Sequence, residues 1–326
     1  MLAEQTRDEV FEADVRAQLD AVEAALLRAA EAQTPMVTEA AQHIIAAGGK
    51  RFRPLLVALG ARLVPGASEQ DVIKAAVVVE LTHVASLYHD DVMDEARIRR
   101  GSVSANSRWG NTVAILVGDL LFARASDIVS ELGSEFVRIQ ARTFSRLVQG
   151  QIAETVGPQP GQDPLDHYLQ VVADKTAALI ATSALFGAKI AGADPLLQQR
   201  MIEFGEQIGM VFQLSDDIID ITSEVTGKTP GTDLREGIPT LPTLLARRST
   251  DPADARLLQL LDSDLHDDAA LAEALGLLRR HPALVQATAE VERRAAIARG
   301  LLAELPAGPA RTALEELCEQ IVTRSS

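Results

Sequence analysis

Long stretches of helix-forming residues, separated by short segments rich in glycine and proline, are the feature that most limits how this chain can fold. Alanine and leucine dominate these stretches, and β-branched residues rarely alternate with polar ones, which favours helices almost throughout. Glycine and proline interrupt the pattern at 65–66, 157–161, 227–239 and 306–309. Helices are therefore predicted at roughly 5–31, 36–47, 52–64, 70–97, 111–131, 133–156, 164–192, 196–224, 239–248, 252–262, 266–280, 284–304 and 309–323.

The connections between these helices give no sign of a second domain. None is long or polar enough to serve as a linker, and no repeat of fixed period occurs. We therefore predict an all-α protein, a large single-domain helical bundle over 1–326, although this length is large for one core. Two similar segments, DDVMD at 90–94 and DDIID at 216–220, lie on long and otherwise apolar predicted helices.

Composition excludes several classes of protein. The chain carries 46 acidic and 31 basic side chains, a net charge of −15, which makes nucleic acid a poor partner. A hydrophobic content of 47% argues against disorder. The single cysteine, Cys318, excludes a disulfide scaffold or a multi-cysteine metal site and fits a reducing cytoplasm. The chain has no uninterrupted apolar run of membrane-spanning length, so no transmembrane segment is expected, and the acidic N-terminus lacks a signal-peptide pattern.

The two aspartate clusters carry the strongest chemical signal. Within each cluster, the first and last aspartates are four residues apart, so they share one helix face with Cβ atoms about 5–6 Å apart. The apolar flanks predict that each cluster lies mid-helix in a largely buried setting, where paired carboxylates need a compensating cation. The alternatives are solvated helix faces or acidic N-caps. The residues concerned are Asp90, Asp91, Asp94, Asp216, Asp217 and Asp220.

The nature of these ligands indicates the ion. Hard oxygen ligands, without a His or Cys cluster at metal spacing, favour Mg²⁺ or a similar ion over zinc. Because proteins usually hold Mg²⁺ through one or two carboxylates together with substrate phosphates, the clusters predict a phosphorylated substrate.

The scarce basic residues support the same interpretation. Three cations in GGKRFRP at 48–54 lie at a helix junction, and three arginines at 97, 99 and 100 follow the first aspartate cluster. Converging cations suit a diphosphate, although a basic helix end or ion pairs with the aspartates would also explain them.

Five other polar residues lie near the clusters. Lys175 and Thr176 interrupt an apolar helix, Gln213 lies one turn before the second cluster, Lys228 follows it in a glycine-rich loop, and His83 lies two turns before the first. A lone lysine in such a helix often extends to water, and a lone histidine is more often a hydrogen-bonded core residue than a catalyst.

Six segments, in order along the chain, resemble the trans-isoprenyl diphosphate synthases, the head-to-tail prenyltransferases. They are GGKRFRP at 48–54, DDVMDEARIRRG at 90–101, VGDLLFARA at 117–125, KT at 175–176, FQLSDDIID at 212–220 and GKTPGTDL at 227–234. The resemblance implies a bundle around a deep central cavity and a cytoplasmic homodimer, with at most transient membrane contact for product release. The implied substrates are isopentenyl diphosphate and an allylic diphosphate.

The resemblance also implies a mechanism and a role for each residue. Three Mg²⁺ ions would bridge the allylic diphosphate to the aspartates, diphosphate departure would leave an allylic cation, and isopentenyl diphosphate would attack it and lose a proton to the released diphosphate. The implied metal ligands are Asp90, Asp94 and Asp216, with Asp91, Asp217 and Asp220 as further ligands or supporting residues. The implied contacts are Arg99, Lys175 and Lys228 to the allylic diphosphate, Lys50, Arg53, His83 and Arg100 to the isopentenyl one, and Thr176 and Gln213 to the cation.

Product length depends on the helix that precedes the first cluster. The positions one to two turns before Asp90 are Ser86, Ala85 and Thr82, and family members with short products have a bulky aromatic residue there. Its absence predicts a long-chain all-trans product of roughly C30–C50, with geranylgeranyl diphosphate as the alternative. Ile238 departs from the family, because many members carry lysine there, and slightly weaker diphosphate binding is expected.

Three other classes fit less well. A non-catalytic partner subunit of a heteromeric synthase typically loses its aspartate motifs, whereas this chain keeps both. A class I terpene cyclase has a different second motif and needs no second diphosphate site. A carboxylate-bridged di-iron bundle requires Glu-x-x-His pairs, which the sequence lacks.

Overall fold

The structure, a computed structural model, describes residues 2–222 and 230–323, with side chains from Glu9 onward. Its helices are α1 Leu2–Ala29, α2 Pro35–Ala46, α3 Phe52–Gly60, α4 Glu69–Met93, α5 Ala105–Trp109, α6 Asn111–Leu132, α7 Ser134–Val156, α8 Pro164–Val172, α9 Ala178–Ile190, α10 Pro195–Thr222, α11 Thr232–Arg235, α12 Leu241–Ala246, α13 Ala255–Leu261, α14 Asp268–Leu278, α15 Pro282–Leu302 and α16 Pro309–Thr323. A π-helical turn, Ala173–Ala177, joins α8 to α9, and a 3₁₀ turn, Pro252–Asp254, precedes α13. The all-α prediction is confirmed.

Local capping chemistry explains where many helices begin. Ser68 accepts a hydrogen bond from the Asp71 backbone at the start of α4, and Asp163 accepts two from the first turn of α8. Asp267 caps α14 in the same way, and proline follows the cap of α2 and α15. Such side chains satisfy N–H groups that have no partner within the helix, which is why breaks in the sequence marked most helix ends to within a few residues.

The prediction of a helix over 70–97 is wrong at its C-terminal end. Helix α4 ends at Met93, and a two-stranded antiparallel hairpin follows, formed by β1 Ile98–Arg99 and β2 Ser102–Val103. The chain turns where Glu95, Arg100 and Gly101 adopt positive φ angles of 50°, 52° and 76°. The Ser104 hydroxyl donates to the Ala96 carbonyl at 2.5 Å, which fixes the return of the chain. The first aspartate cluster therefore lies at a helix end and not mid-helix.

The predicted loop over 227–239 also differs from the structure. Its described part includes the short helix α11. The turn is stabilised where the Thr232 and Asp233 backbone N–H groups donate to the Asp220 carboxylate, a contact with a residue more than ten positions earlier that glycine and proline content alone does not reveal.

The described residues divide into two compact units. The first comprises those within Met1–Ser145, Leu179–Ile202 and Leu305–Ala313, and the second those within Arg146–Ala178, Glu203–Glu304 and Leu314–Ser326. In the first unit, α3 and α9 pack backbone against backbone: a Cβ atom at Gly60 would lie 2.9 Å from the Ala184 carbonyl oxygen. Only glycine allows this approach. The single-domain prediction stays a prediction.

Two helical stretches are long and apolar enough to cross a membrane by length and composition. They are Glu69–Met93 and Pro164–Ile190, and 67% and 78% of their most apolar windows is buried within the protein. Core helices of soluble proteins have the same character, so these stretches are weak indicators of a membrane span. The expected absence of a transmembrane segment stays a prediction.

Candidate active site

The first aspartate cluster occupies the C-terminal turn of α4. The Asp94 backbone N–H donates to the Asp90 carbonyl at 2.8 Å, so these two residues are one helical turn apart. Asp91 is fully buried, Asp90 is partly buried and Asp94 is exposed. No basic residue lies in this last turn, where the helix dipole places partial negative charge. Position and side chains together make this end of α4 strongly attractive to a cation.

Asp91 retains an oxygen without a hydrogen-bond partner. Its Oδ1 accepts from Arg99 Nε at 2.6 Å, and its backbone carbonyl accepts from the Asn106 amide at 2.9 Å. Its buried Oδ2 accepts no hydrogen bond. Burial raises the pKa of Asp91 despite the Arg99 charge. Carboxylate oxygens are hard ligands, and a buried one without a hydrogen-bond partner fits a divalent cation. The residues of this cluster therefore fit the predicted Mg²⁺.

Arg51, in the basic segment GGKRFRP, is fully engaged within the protein. Its backbone is left-handed, with φ 45°. Its five N–H donors face Glu23, Glu80 and the Gly48 and Ile45 carbonyls at 2.6–3.2 Å. An arginine has no further donor, so Arg51 stabilises the local structure and has no N–H left for a ligand.

Arg53, two residues later, is different. Its Nε is buried and has no hydrogen-bond partner. Burial lowers the pKa of its guanidinium to about 10, with Glu80 opposing this effect and the Arg100 charge adding to it. An incompletely compensated buried cation attracts an anion. Lys50, the neighbouring cation, is exposed. The structure thus separates the three cations of the segment into an internally paired Arg51 and two candidates for ligand binding.

Arg100 and His83 join the same cluster from other segments. Arg100 Nη1 donates to the Ile44 carbonyl at 3.0 Å and to the Gly48 carbonyl, and Nη2 lies 3.6 Å from Glu80. Burial, followed by the charges of Arg53 and Arg100, holds the pKa of His83 well below its usual range. The imidazole is therefore neutral at physiological pH. The structure brings Arg53, His83 and Arg100 close enough for their charges to act on one another.

In the second unit, Asp217 is the most buried aspartate of its cluster. It is 2% exposed. It accepts hydrogen bonds from the Tyr168 hydroxyl, the Leu241 backbone at 3.1 Å and the Gln213 amide at 3.3 Å. Burial raises its pKa to about 6, although these donors oppose the change. Asp217 thereby links α10 to α8 and α12, an arrangement that favours a supporting role over direct metal contact.

The other two aspartates of the cluster are more accessible. Asp216 and Asp220 are partly buried. The Asp220 carboxylate accepts from the Thr232 and Asp233 backbones at 3.2 Å each, and its carbonyl accepts from Gly231 at 2.8 Å. These bonds orient the Asp220 carboxylate.

Lys175 and Thr176 lie in the π-helical turn between α8 and α9. Lys175 forms an ion pair with Glu154 of α7, and the Thr176 hydroxyl donates to the Gln213 amide oxygen at 3.3 Å. A Cβ atom at Gly150 would lie 2.7 Å from the Lys175 backbone nitrogen. Single π turns in α-helices frequently occur at functional sites. Here the turn rests directly against α7, and glycine at 150 is required for that approach.

The three positions predicted to control product length lie on α4. Ala85 is fully buried, and Thr82 is buried with its hydroxyl donating to the Val78 carbonyl at 2.8 Å. Ser86 is partly buried and donates to the His83 carbonyl at 2.8 Å. Ser86 is therefore the most accessible of the three. Lys228 lies outside the described residues, and Ile238 is 41% exposed.

Protein ligands alone do not form a metal site here. Across residues 2–222 and 230–323, no three His, Cys, Asp or Glu side chains are grouped so that they could hold an ion.

Several residues of the site gave no recognisable signal in the sequence. Tyr168 and Glu154 act through partners more than 20 residues away, and Gly150 matters only because a π turn approaches it. Glu80 was the one such residue with a signal, since it is a lone glutamate within the apolar run VVVELTH. A buried glutamate almost always has a charged partner, so its position indicated an ion pair.

The fold is the all-α fold of the isoprenyl diphosphate synthases. A family model described as polyprenyl synthetase matches residues 34–278, and the chain belongs to that family, which confirms the resemblance. The enzyme is a head-to-tail prenyltransferase.

Individual relatives agree with this assignment. The chain is 46% identical to nonaprenyl diphosphate synthase of Mycobacterium tuberculosis, over 97% of this chain and 95% of the relative. It is 38% identical to heptaprenyl diphosphate synthase component 2 of Geobacillus stearothermophilus, over 94% and 95%. A crystal structure of geranylgeranyl pyrophosphate synthase from Corynebacterium glutamicum, complexed with calcium and isoprenyl diphosphate, has a TM-score of 0.87 and 43% identity over 97% of each chain.

Proposed function

We propose that this enzyme extends an allylic diphosphate with isopentenyl diphosphate to form a long-chain all-trans polyprenyl diphosphate. One observation carries the proposal. Within a single compact unit, an aspartate cluster with an unpartnered buried oxygen on Asp91 is combined with a buried cationic cluster that has an unpartnered Arg53 Nε. The first fits a divalent cation and the second fits a phosphate oxygen.

The metal ligands we propose are Asp90, Asp94, Asp216 and Asp220. Asp91 is a further ligand through its unpartnered Oδ2, and Asp217 has a supporting role. Mg²⁺, with three ions per site, is the proposed cofactor, and it supplies charge neutralisation for a departing diphosphate. The calcium in the related Corynebacterium structure supports a divalent ion. Arg99 holds the buried Asp91 carboxylate at 2.6 Å, and Tyr168 holds that of Asp217.

The basic residues divide between the two substrates. Arg99, Lys175 and Lys228 bind the allylic diphosphate, whereas Lys50, Arg53, His83 and Arg100 bind the isopentenyl diphosphate. His83 serves as a neutral hydrogen-bonding group, because burial, together with the neighbouring arginine charges, lowers its pKa. The Thr176 and Gln213 side chains, which are hydrogen-bonded to each other, direct oxygen dipoles toward developing positive charge.

The reaction balances without a covalent enzyme intermediate. The allylic C–O bond breaks and its electron pair leaves with the diphosphate. The double bond of isopentenyl diphosphate supplies the electrons of the new C–C bond, and the resulting cation loses a proton to the released diphosphate. The chain positions both substrates and excludes water from the cation.

We infer a product of roughly C30–C50, with geranylgeranyl diphosphate as the alternative. The positions one to two helical turns before Asp90 are Thr82, Ala85 and Ser86, and none of them is aromatic. The similarity to a nonaprenyl diphosphate synthase supports the longer product. The similarity to a geranylgeranyl pyrophosphate synthase supports the shorter alternative.

We further propose a cytoplasmic homodimer that contacts membranes only transiently during product release. Helix α7 presents Val148, Ile152 and Val156 at four-residue intervals, exposed by 41%, 56% and 64%. An exposed apolar stripe of this kind suits an interface between proteins. The relative described as a synthase component raises the alternative of a heteromeric enzyme, but this chain retains both aspartate clusters.

The deciding experiment uses the purified chain alone with Mg²⁺, isopentenyl diphosphate and each allylic primer, and mass spectrometry of the products. Long-chain products are expected, and Asp90→Ala or Asp216→Ala should lower turnover by orders of magnitude. Undiminished turnover in both variants would refute the metal assignment. No product from the chain alone would instead indicate that a partner subunit is required.

A further inference from the structure

Glu80 is a fully buried carboxylate on α4 that the proposed reaction does not use. It is 1% exposed. Arg51 Nη1 donates to its Oε1 at 3.0 Å, and Arg100 Nη2 lies 3.6 Å from the same oxygen. The charge of Glu80 also acts on Arg53. One carboxylate therefore serves three arginines from two separate segments of the chain.

The two arginines that contact Glu80 both have unusual backbone conformations. Arg51 and Arg100 are two of only three non-glycine residues with positive φ in the part of the chain that the structure describes. Such conformations persist only where surrounding contacts determine them, and they concentrate at functional sites. Both Arg51 and Arg100 contact the Glu80 carboxylate.

The surroundings leave Arg100 little freedom to move. A Cβ atom at Gly49 would lie 2.9 Å from the Arg100 Cζ atom, so the guanidinium packs directly against the glycine backbone. Its Nη1 donates to the carbonyls of Ile44 and Gly48. Glu80 is the anionic partner on the Nη2 side.

A negative charge beside a diphosphate site opposes anion binding. The presence of Glu80 there therefore needs a separate explanation. Here Arg51 is saturated by protein acceptors, and Arg53 keeps an unpartnered Nε. Without Glu80, the guanidinium groups of Arg53 and Arg100 would repel each other with less compensation. Glu80 thus offsets the repulsion that would otherwise separate the two ligand-binding cations.

We propose that Glu80 is a positioning residue for the isopentenyl diphosphate subsite, which sets the spacing of Arg53 and Arg100 without touching the substrate. The inference rests on the proposed assignment of Arg53, His83 and Arg100 to isopentenyl diphosphate. It predicts a selective effect: loss of the Glu80 charge impairs use of isopentenyl diphosphate and spares the allylic substrate.

The test compares Glu80→Gln with Glu290→Gln. Glu290 belongs to the second unit, and its carboxylate accepts hydrogen bonds from both Arg293 and Arg294. KM is measured for each substrate at saturation of the other, together with kcat and Tm. For Glu80→Gln, we expect KM for isopentenyl diphosphate to rise about tenfold or more, since misplaced groups are costly. KM for the allylic diphosphate should stay within about twofold, and Glu290→Gln should leave both KM values unchanged.

Other outcomes separate the two proposals. Equal increases in both KM values, or a lower Tm with unchanged KM values, would overturn the role of Glu80. If Glu80→Gln yields no folded protein, Glu80→Asp is measured in the same way, since it keeps the charge but shortens the reach. Arg53→Ala tests the subsite itself. If this variant leaves KM for isopentenyl diphosphate unchanged, the subsite assignment fails. If KM for isopentenyl diphosphate rises in Arg53→Ala but not in Glu80→Gln, only the Glu80 inference fails.

Discussion

Tyr168 of α8 donates its phenolic hydrogen to the Asp217 carboxylate of α10, and both side chains are buried. Tyr168→Phe should therefore leave a buried carboxylate short of one donor. We expect a stability loss of about 1–3 kcal/mol, measured by urea denaturation. We also expect lower kcat, because Asp217 lies between the proposed ligands Asp216 and Asp220 in sequence and orients that turn of α10.

A second buried hydroxyl supplies the control. Ser183 of α9 is fully buried and donates to the Leu179 carbonyl at 2.7 Å. Ser183→Ala should lower stability with kcat unchanged. If Tyr168→Phe behaves in the same way, with turnover intact, the hydrogen bond has a structural role only.

Gly150 permits α7 to approach the π turn that contains Lys175. Because a Cβ atom there would lie 2.7 Å from the Lys175 backbone nitrogen, Gly150→Ala should displace the turn. We expect kcat to fall between about tenfold and a hundredfold, the scale expected when catalytic groups move by about 1 Å. Steady-state kinetics at saturating concentrations of both substrates measures the effect.

Gly276 of α14 is the matched control for this substitution. A Cβ atom at Gly276 meets no heavy atom within 4 Å, so Gly276→Ala should stabilise the protein by about 0.5–1 kcal/mol through helix propensity. Its kcat should not change. Wild-type kinetics in Gly150→Ala would show that the π turn tolerates displacement.

His83 should influence the acid stability of the substrate-free enzyme. Burial and four arginine charges hold the folded-state pKa well below the ordinary value of 6.5. Between those values the unfolded chain binds a proton that the folded chain does not, so stability is lost as pH falls below about 6.5. His83→Gln keeps a neutral hydrogen-bonding side chain and removes this contribution.

The measurement is the free energy of unfolding at pH 7 and pH 5. The wild type should lose up to about 2 kcal/mol more than His83→Gln over this interval, the largest contribution that linkage allows for one such group. Equal losses in the two proteins would mean that folding does not lower the pKa of His83.

Local chemistry explains which parts of the fold were predictable from sequence. Helix starts such as those of α4 and α8 depend on capping side chains, Ser68 and Asp163, that stand within the segment they cap. The end of α4 was not predictable, because it depends on a hairpin that returns Arg99 to Asp91 and Ser104 to Ala96. Those contacts join residues eight positions apart.

The site shows the same division. Spacing singled out the aspartates, since i and i+4 positions share a helix face whatever surrounds them, and the scarcity of cations drew attention to the basic segments. Spacing could not distinguish Arg51 from Arg53, because the difference lies in acceptors supplied by Glu23 and Glu80 on other helices. Nor could it identify the π turn, which lies against Gly150 of another helix.

Ser86 offers the most direct test of product length. It lies one turn, or about 6 Å, before Asp90 and is only partly buried, whereas Ala85 is fully buried. Ser86→Phe should shorten the product by one or more isoprene units, read by mass spectrometry, and Ser86→Ala should leave its length unchanged. Ala85→Phe should also shorten it but cost about 1–3 kcal/mol by overpacking. An unchanged product in Ser86→Phe would mean that the growing chain does not pass this face of α4.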